Sequence, residues 1–310
     1  VRDADAVRGA LRDVDSVIHL AAQVGVGQSM YEVTHYVAHN DLGTAVLFQE
    51  LIGRPVRRVV TASSMSIYGE GLYRDADGRL HEDVRRAPRG AGDGWDPLDD
   101  AGRPLVPVPT PETKRPSLAS VYALGKYVQE RLTMTLAPAY GMEACCLRLF
   151  NVYGPGQALS NPYTGVLAIF ASRLANGNRP LVFEDGRQRR DFVHVRDVAA
   201  AFALALEHPM AAGEVLNVGS GRHVSVTEVA RALAGAMEVD LAPEVAGKAR
   251  VGDVRHCFAD TTRAERVLGF RAGVGFHDGL AELVEWVASQ EAHDRVAHAR
   301  RELEQRGLVA

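Results

Sequence analysis

Arg57 to Gly69 reads R-R-V-V-T-A-S-S-M-S-I-Y-G. After two arginines, Val59 to Ser63 are β-branched and small, which predicts a buried strand over Arg57 to Ser63. Helical periodicity lies on either side, over Val37 to Ile52 and over Ser117 to Tyr140. Beyond those helices stand two more apolar strands, Val14 to Leu20, which comes after a helix at Asp5 to Leu11, and Glu143 to Phe150. Strand and helix alternate, and that order predicts a parallel sheet. Past Pro155 the elements change character. A helix at Thr164 to Asn176 is followed by a strand at Leu181 to Phe183, a helix at Val198 to Leu206 and a strand at Glu214 to Val218. A helix at Val226 to Met237 and a long charged helix from about Phe276 to Gln305 end the chain. The expectation is an α/β protein in two parts, 1–155 and a smaller 156–310, with the site in the cleft between them.

Glu70 to Leu118 stands apart. It is rich in Gly, Pro, Asp and Arg, lacks periodicity, and reads as an inserted loop between two parts of the framework. Loops of this length serve as lids or binding loops, or are surface excursions without a role. Either way its ends must reach the rim of the site.

The chemistry sits in Y-A-L-G-K, Tyr122 to Lys126. Residues four apart share one helix face, so the Lys126 ammonium stands near the Tyr122 phenol and draws its pKa down from ~10. A tyrosinate is then available as a base near neutral pH. Ser64, at the end of the buried strand, completes a set that can move a proton and a hydride at a sugar carbinol. The plain alternative is an amphipathic helix with a snorkelling Lys.

Three further stretches decide between these readings: V-D-S-V-I-H-L-A-A (Val14 to Ala22), R-R-D-F-V-H-V-R-D-V-A (Arg189 to Ala199) and F-A-D-T-T-R-A (Phe258 to Ala264). With the Ser64 block and L-R-L-F-N-V-Y-G-P-G (Leu147 to Gly156), the chain resembles the extended short-chain dehydrogenase/reductases. Within them it is similar to the NAD-dependent sugar-nucleotide epimerases and dehydratases. The resemblance runs nearly end to end. It implies a Rossmann-type doubly wound parallel sheet with a smaller C-terminal α/β substrate domain, residues near 195–219 crossing back to the first domain. In that family a strand, a G-x-x-G-x-x-G and a helix open the protein and hold the dinucleotide pyrophosphate. Here V-R-D-A-D-A-V-R-G-A-L is similar to the segment that comes after the second β–α unit, so about 50–60 residues of a Rossmann domain are expected to be missing. The chain reads as a fragment, or else as a truncated paralogue without a cofactor.

By position in that family, Tyr122 takes the proton of the 4-hydroxyl, Lys126 steadies the tyrosinate and meets the nicotinamide ribose, and Ser64 orients the 4-hydroxyl. Leu20, Ala21, Ala22, Gln23, Asn40, Ala62 and Leu149 are expected beside NAD, together with Tyr122 and Lys126. Asn151, Phe183, Arg190, Arg250, Asp253 and Cys257 are expected, with Ser64, beside a nucleotide-diphosphate sugar, the two guanidinium groups on the diphosphate. Sugar-nucleotide dehydratases carry an Asp-Glu pair just after the catalytic hydroxyl, where this chain has Met65 and Ser66. Neither is a general acid, which argues against dehydration, and the absence of a Glu in the same stretch argues less strongly against decarboxylation. A sugar-nucleotide 4-epimerase needs no such acid. The insertion, ending P-V-P-T-P-E-T-K-R-P-S-L-A-S-V-Y-A, and G-Q-A-L-S-N-P-Y-T-G-V-L-A-I-F-A-S-R-L (Gly156 to Leu174) are similar to the subgroup of dTDP-L-rhamnose 4-epimerases. A one-way reductase or decarboxylase and a non-catalytic nucleotide-sugar-binding paralogue stay open beside that reading. The helices at Val37 to Ile52 and Ser117 to Tyr140 correspond to those that pair in relatives, which implies a homodimer.

Composition agrees. The chain has 310 residues, 46% hydrophobic and 24% charged, with a net charge of −4, ordinary for a soluble globular protein. That charge gives no reason to expect nucleic acid or an anionic membrane, and no apolar run approaches the ~20 residues that span a bilayer. Three cysteines, Cys145, Cys146 and Cys257, make no disulfide framework and fit a reducing cytoplasm; the first two read as buried strand residues. Eleven His show no metal-ligand spacing such as H-E-x-x-H, and no metal is expected. His194 reads as a core histidine, and Ala292 to Arg306 as a solvated charged helix face.

Overall fold

The structure is a computed structural model describing residues 1–310 except 85–93, 160–162, 164, 251, 291–293, 295 and 310. Asp3 caps α1 (Ala4–Ala10), its carboxylate accepting from the Ala6 N–H at 3.0 Å. β1 (Ser16–His19) comes next, and its trailing loop enters two short helices, α2 (Val26–Ser29) and α3 (Val33–Val37). The single helix expected over Val37 to Ile52 is interrupted at its start. A π turn, Ala38–Leu42, precedes α4 (Gly43–Gly53). The widened turn carries Asn40, fully buried, whose side chain clamps the Gln23 backbone by accepting from its N–H at 2.6 Å and donating to its carbonyl at 3.1 Å. Such turns concentrate at functional sites.

β2 (Arg58–Ser64) is buried at every residue and runs parallel to β1, with Ser16 opposite Arg58. A 3-10 turn, Met65–Tyr68, leaves its end. The insertion is not the structureless loop expected from its composition. β3 (Leu72–Arg74), β4 (Leu80–His81) and β5 (Val106–Val108) form an antiparallel sheet in the order β4-β3-β5. Leu72 and Tyr73 of its central strand are buried. Strands of two or three residues carry no readable alternation; a local turn pairs β3 with β4, and a distant segment, β5, completes the sheet. The stretch 85–93 lies outside the described residues. α5 (Val121–Ala139) starts at Ser120, whose hydroxyl accepts from the Ala123 N–H at 3.1 Å. β6 (Glu143–Leu149) then pairs with β2 from Arg58↔Glu143 to Ser64↔Leu149.

The second half adds β7 (Asn151–Tyr153), α6 (Val166–Ala175), β8 (Leu181–Val182), β9 (Arg189–Arg190), β10 (Phe192–His194) and α7 (Val195–Glu207). β11 (Glu214–Val218) returns to the main sheet beside β6, Glu214 opposite Cys145. The central sheet is therefore four parallel strands in the order β1-β2-β6-β11. After it come β12 (Val224–Ser225), α8 (Val226–Ala236), β13 (Glu244–Val245), β14 (His256–Cys257) and α9 (Thr262–Leu268). The long charged helix expected to end the chain is two helices, α10 (Phe276–Ala288) and α11 (Val296–Gln305). α10 buries Leu280, Leu283 and Val287 in the core of the second half, whereas α11 buries Ala299 and Leu303 elsewhere. One straight helix could not place both faces.

Alternation along the strands sorts helices to the two faces. Val59 and Ala144 point toward α1, α4 and α5, with Val7, Phe48, Leu51 and Ala137 between them. Val60, Ala62, Cys145 and Leu147 point the other way, against Val198, Ala201 and Phe202 of α7 and Val267 of α9. This is the doubly wound arrangement that the element order implied. A separate core joins α6, α8 and α10. The insertion is anchored to the second half. Gly71 N–H donates to the His256 carbonyl at 2.8 Å, and the buried Arg255 guanidinium gathers Asp96 at 2.7 Å, Glu184 at 2.9 Å and Asp185. A guanidinium out of water is tolerated only with such compensation.

Candidate active site

Ser64 and Tyr122 meet at the carboxyl end of the sheet, where ligands sit in open α/β folds. β2 carries Ser64 to its last position, and the hydroxyl also caps the 3-10 turn, accepting from the Ser66 N–H at 3.2 Å and the Ser66 hydroxyl at 2.9 Å. Tyr122 occupies the first turn of α5, fixed by its own N–H, which donates to the Ser29 hydroxyl at 3.0 Å. Burial pushes the Tyr122 phenol above its ordinary value, while its hydrogen bond with Ser64 pulls the other way. Lys126, one turn on, is 4% exposed, and burial brings its ammonium down to about 8. The simple expectation that Lys126 lowers the phenol does not describe the chain by itself. Desolvation disfavours both charged forms, and it is the larger effect on each.

Lys126 also tests whether these residues suit a dinucleotide. Among the described residues its three-donor ammonium makes one hydrogen bond, to the Gln129 side-chain oxygen at 2.8 Å. A buried cation with so few acceptors fits a ligand carrying vicinal hydroxyls, as a ribose does. Gln129 then reaches back with its amide to the Ala21 carbonyl at 3.2 Å and the Thr44 hydroxyl at 2.8 Å. It joins α5 to the loop after β1. Leu20 and Ala21 are exposed there, and Ala22 and Gln23 half-buried, while the Asn40 clamp fixes the loop's course. His19, in the same network, is brought down to about 4 by burial and by Lys126, and so is neutral at pH 7. Ala62 lies in the core facing α7, and Leu149 ends β6 opposite Ser64. Sequence reasoning missed Gln129. Its legible signal is its place three residues after Lys126 and seven after Tyr122, on one helix face.

A cavity of about 260 Å³ opens beside this cluster. Met65, Ser66 and Ser120 form its wall nearest Ser64 and Tyr122, and Asn151, Phe183, Arg190, Arg250 and Asp253 line the remainder expected from sequence. The Arg250 guanidinium lies 4.6 Å from the Phe183 ring centre and 3.1 Å from Asp253, which is also 3.7 Å from Arg190. Asn151 Oδ1 is buried without a hydrogen bond among the described residues. Cys257 departs from expectation. It is 1% exposed and absent from the cavity wall, packed under the turn with Ile67, Tyr68 and Phe150. His256, the other residue of this two-residue strand, is also buried, and neither lines the cavity. A second departure is α11, read from sequence as a solvated face. Val296, Ala299, Arg300 and Leu303 line the same cavity. Their spacing of three, one and three was the legible signal.

Comparison with known proteins adds four findings. A family model described as the NAD dependent epimerase/dehydratase family matches residues 1–89 and 101–219. A dTDP-L-rhamnose 4-epimerase of Burkholderia thailandensis is 36% identical over 302 residues, covering 94% of this chain and 80% of the relative. Among solved structures, MoeE5 in complex with UDP-glucose and NAD superposes with a TM-score of 0.74 at 30% identity, over 93% of this chain and 84% of that one. A UDP-glucose 4-epimerase with UDP-glucose, from Thermotoga maritima, gives 0.76 at 29% identity, over 93% and 82%.

Proposed function

The chain belongs to the NAD dependent epimerase/dehydratase family, and from that premise we propose that it is a sugar-nucleotide 4-epimerase. It inverts C4 of a dTDP- or UDP-hexose, with dTDP-L-rhamnose the first candidate, through a transient 4-keto sugar. The observation that carries this reading is the Ser64–Tyr122 hydrogen bond, whose chain neighbours Met65, Ser66 and Ser120 line an arginine-bearing cavity. The positions just after Ser64 are Met65 and Ser66, which supply no acid for losing water.

Tyr122 as tyrosinate removes the 4-hydroxyl proton, and Ser64 holds that hydroxyl toward it. Bound NAD supplies the acceptor for the C4 hydrogen with its electron pair and the donor that returns it. Lys126 stabilises the tyrosinate and presents its remaining donors to the cofactor's ribose. Leu20 to Gln23, held by Asn40 and Gln129, form the floor on that side, with Ala62 and Leu149 behind. Arg190 and Arg250 hold the diphosphate, Asn151 adds an amide, and Phe183 with Asp253 bounds the nucleoside. Fixed only at its nucleotide end, the sugar can present either face of C4.

A homodimer through the α3–α4 and α5 segments fits the exposed Val33, Val37, Leu42 and Leu124, each at least 40% exposed. The three free, buried cysteines fit a reducing cytoplasm, and no described helix is long and apolar enough to cross a membrane. A role in deoxysugar biosynthesis follows if the substrate is a 6-deoxyhexose nucleotide. Incubation with NAD and, separately, dTDP-L-rhamnose, UDP-glucose and UDP-galactose, read by NMR, tests the reading. The expected product is the C4 epimer of one of them with no net NADH. A dehydrated or decarboxylated product would replace the reading.

A further inference from the structure

Helix α11 has the composition of a solvated helix, yet one of its faces closes the cavity. Ala299 and Leu303, each 5% exposed, pack inward, and Arg300 stands between them on the cavity wall. The helix is fastened from both halves of the molecule. The Tyr31 and Tyr163 hydroxyls, 2.7 Å apart, each lie 3.1 Å from the Glu302 carboxylate. The Arg306 guanidinium lies 4.3 Å from the Tyr31 ring centre, and Glu304 meets Lys248 at 3.4 Å.

The charge on the wall points to a ligand. Among the described residues, those lining the cavity with formal charge are Arg190, Arg250, Arg300 and Asp253. Three guanidinium groups against one carboxylate leave two positive charges in excess, the complement of a diphosphate diester. Asp253 is shared between Arg190 and Arg250. Arg300 pairs with Glu304 at 3.0 Å on its own helix, and Glu304 keeps Lys248 if Arg300 turns away. The cavity of about 260 Å³ falls below the range of about 300–1,000 Å³ usual for such ligands. The helix's partly exposed polar fastenings are individually weak, so it is able to give way as a nucleotide sugar enters.

We propose that α11 is the closing wall of the nucleotide-sugar cavity and that Arg300 is a third guanidinium contact to the substrate diphosphate. This rests on the sugar-nucleotide reading above. Calorimetric titration of the chain with UDP, dTDP and UMP tests it. Arg300→Gln is expected to weaken UDP binding by about tenfold or more, and UMP binding by less, while Arg301→Gln, an exposed neighbour on the same helix, changes neither. Unaltered UDP affinity in Arg300→Gln, or equal losses for UDP and UMP, would overturn the assignment and leave the epimerase reading standing. An unmutated chain that binds none of the three nucleotides would overturn that reading together with the assignment. Should Arg300→Gln fail to fold, amide exchange on the unmutated chain decides. Residues 296–305 are expected to exchange more slowly with UDP bound, and unchanged exchange contradicts a closing wall.

Discussion

Tyr122→Phe is expected to lower the rate of C4 inversion by about 10²–10⁴-fold, with UDP affinity preserved. The substitution keeps the ring and removes only the oxygen that Ser64 holds. Ser64 cannot take its place, because an aliphatic hydroxyl is a far weaker acid than a phenol and its alkoxide is not available near neutral pH. Steady-state rates alongside nucleotide titrations check this. A variant turning over at the unmutated rate would remove Tyr122 from the chemistry, whatever its position.

Lys126→Met is expected to separate stability from activity. The ammonium is 4% exposed and stands at about 8 in the folded chain against ~10.4 unfolded. The folded state binds that proton less tightly. The cost is therefore present in full below pH 8, fades as pH rises toward the unfolded value, and is absent above it. At 1.36 kcal/mol per pH unit the cost at neutral pH is on the order of 3 kcal/mol. Removing the charge should raise the unfolding free energy at pH 7, with the gain shrinking at pH 10. Turnover should move the opposite way. Without the cation the tyrosinate is harder to form, so the acidic limb of the pH–rate profile should shift upward by about one to three pH units. Denaturant titrations at the two pH values and a kcat profile read these effects. A stabilised variant with an unmoved profile would make Lys126 a structural residue only.

The long, continuous signals were legible in the sequence. β2 spells its burial on both faces in Val59, Val60, Thr61 and small residues, β6 in Ala144, Cys145, Cys146 and Leu147, and β11 was bounded correctly at Glu214 and Val218. The Tyr122–Lys126 spacing and Ser64 at a strand end placed the proton-handling groups near one another from sequence alone. The illegible parts depend on tertiary partners. β3, β4 and β5 are too short to show a period, and β3 is completed by pairing with β5, more than thirty residues on by register Leu72↔Val108. Gln129 and Arg300 look like any polar helix residues until the loop after β1 and the cavity come to meet them. The break between α10 and α11 arises from two burial surfaces that one charged stretch does not announce. Cys257, expected by resemblance beside the sugar, is buried and packs with Ile67, Tyr68 and Phe150, a setting its sequence neighbours do not announce. For Lys126 and Tyr122 the sequence brings the two groups to one helix face, but does not announce the desolvation that both undergo.

The central claim is that C4 inverts because its hydrogen leaves with an electron pair and comes back to the other face. The direct measurement is to run the reaction in deuterated water with NAD and the sugar nucleotide that is turned over, and to follow C4 by NMR. The account predicts inverted product with protium retained at C4. Inverted product carrying solvent deuterium at C4 would mean that a base removes the C4 hydrogen as a proton, and would contradict it.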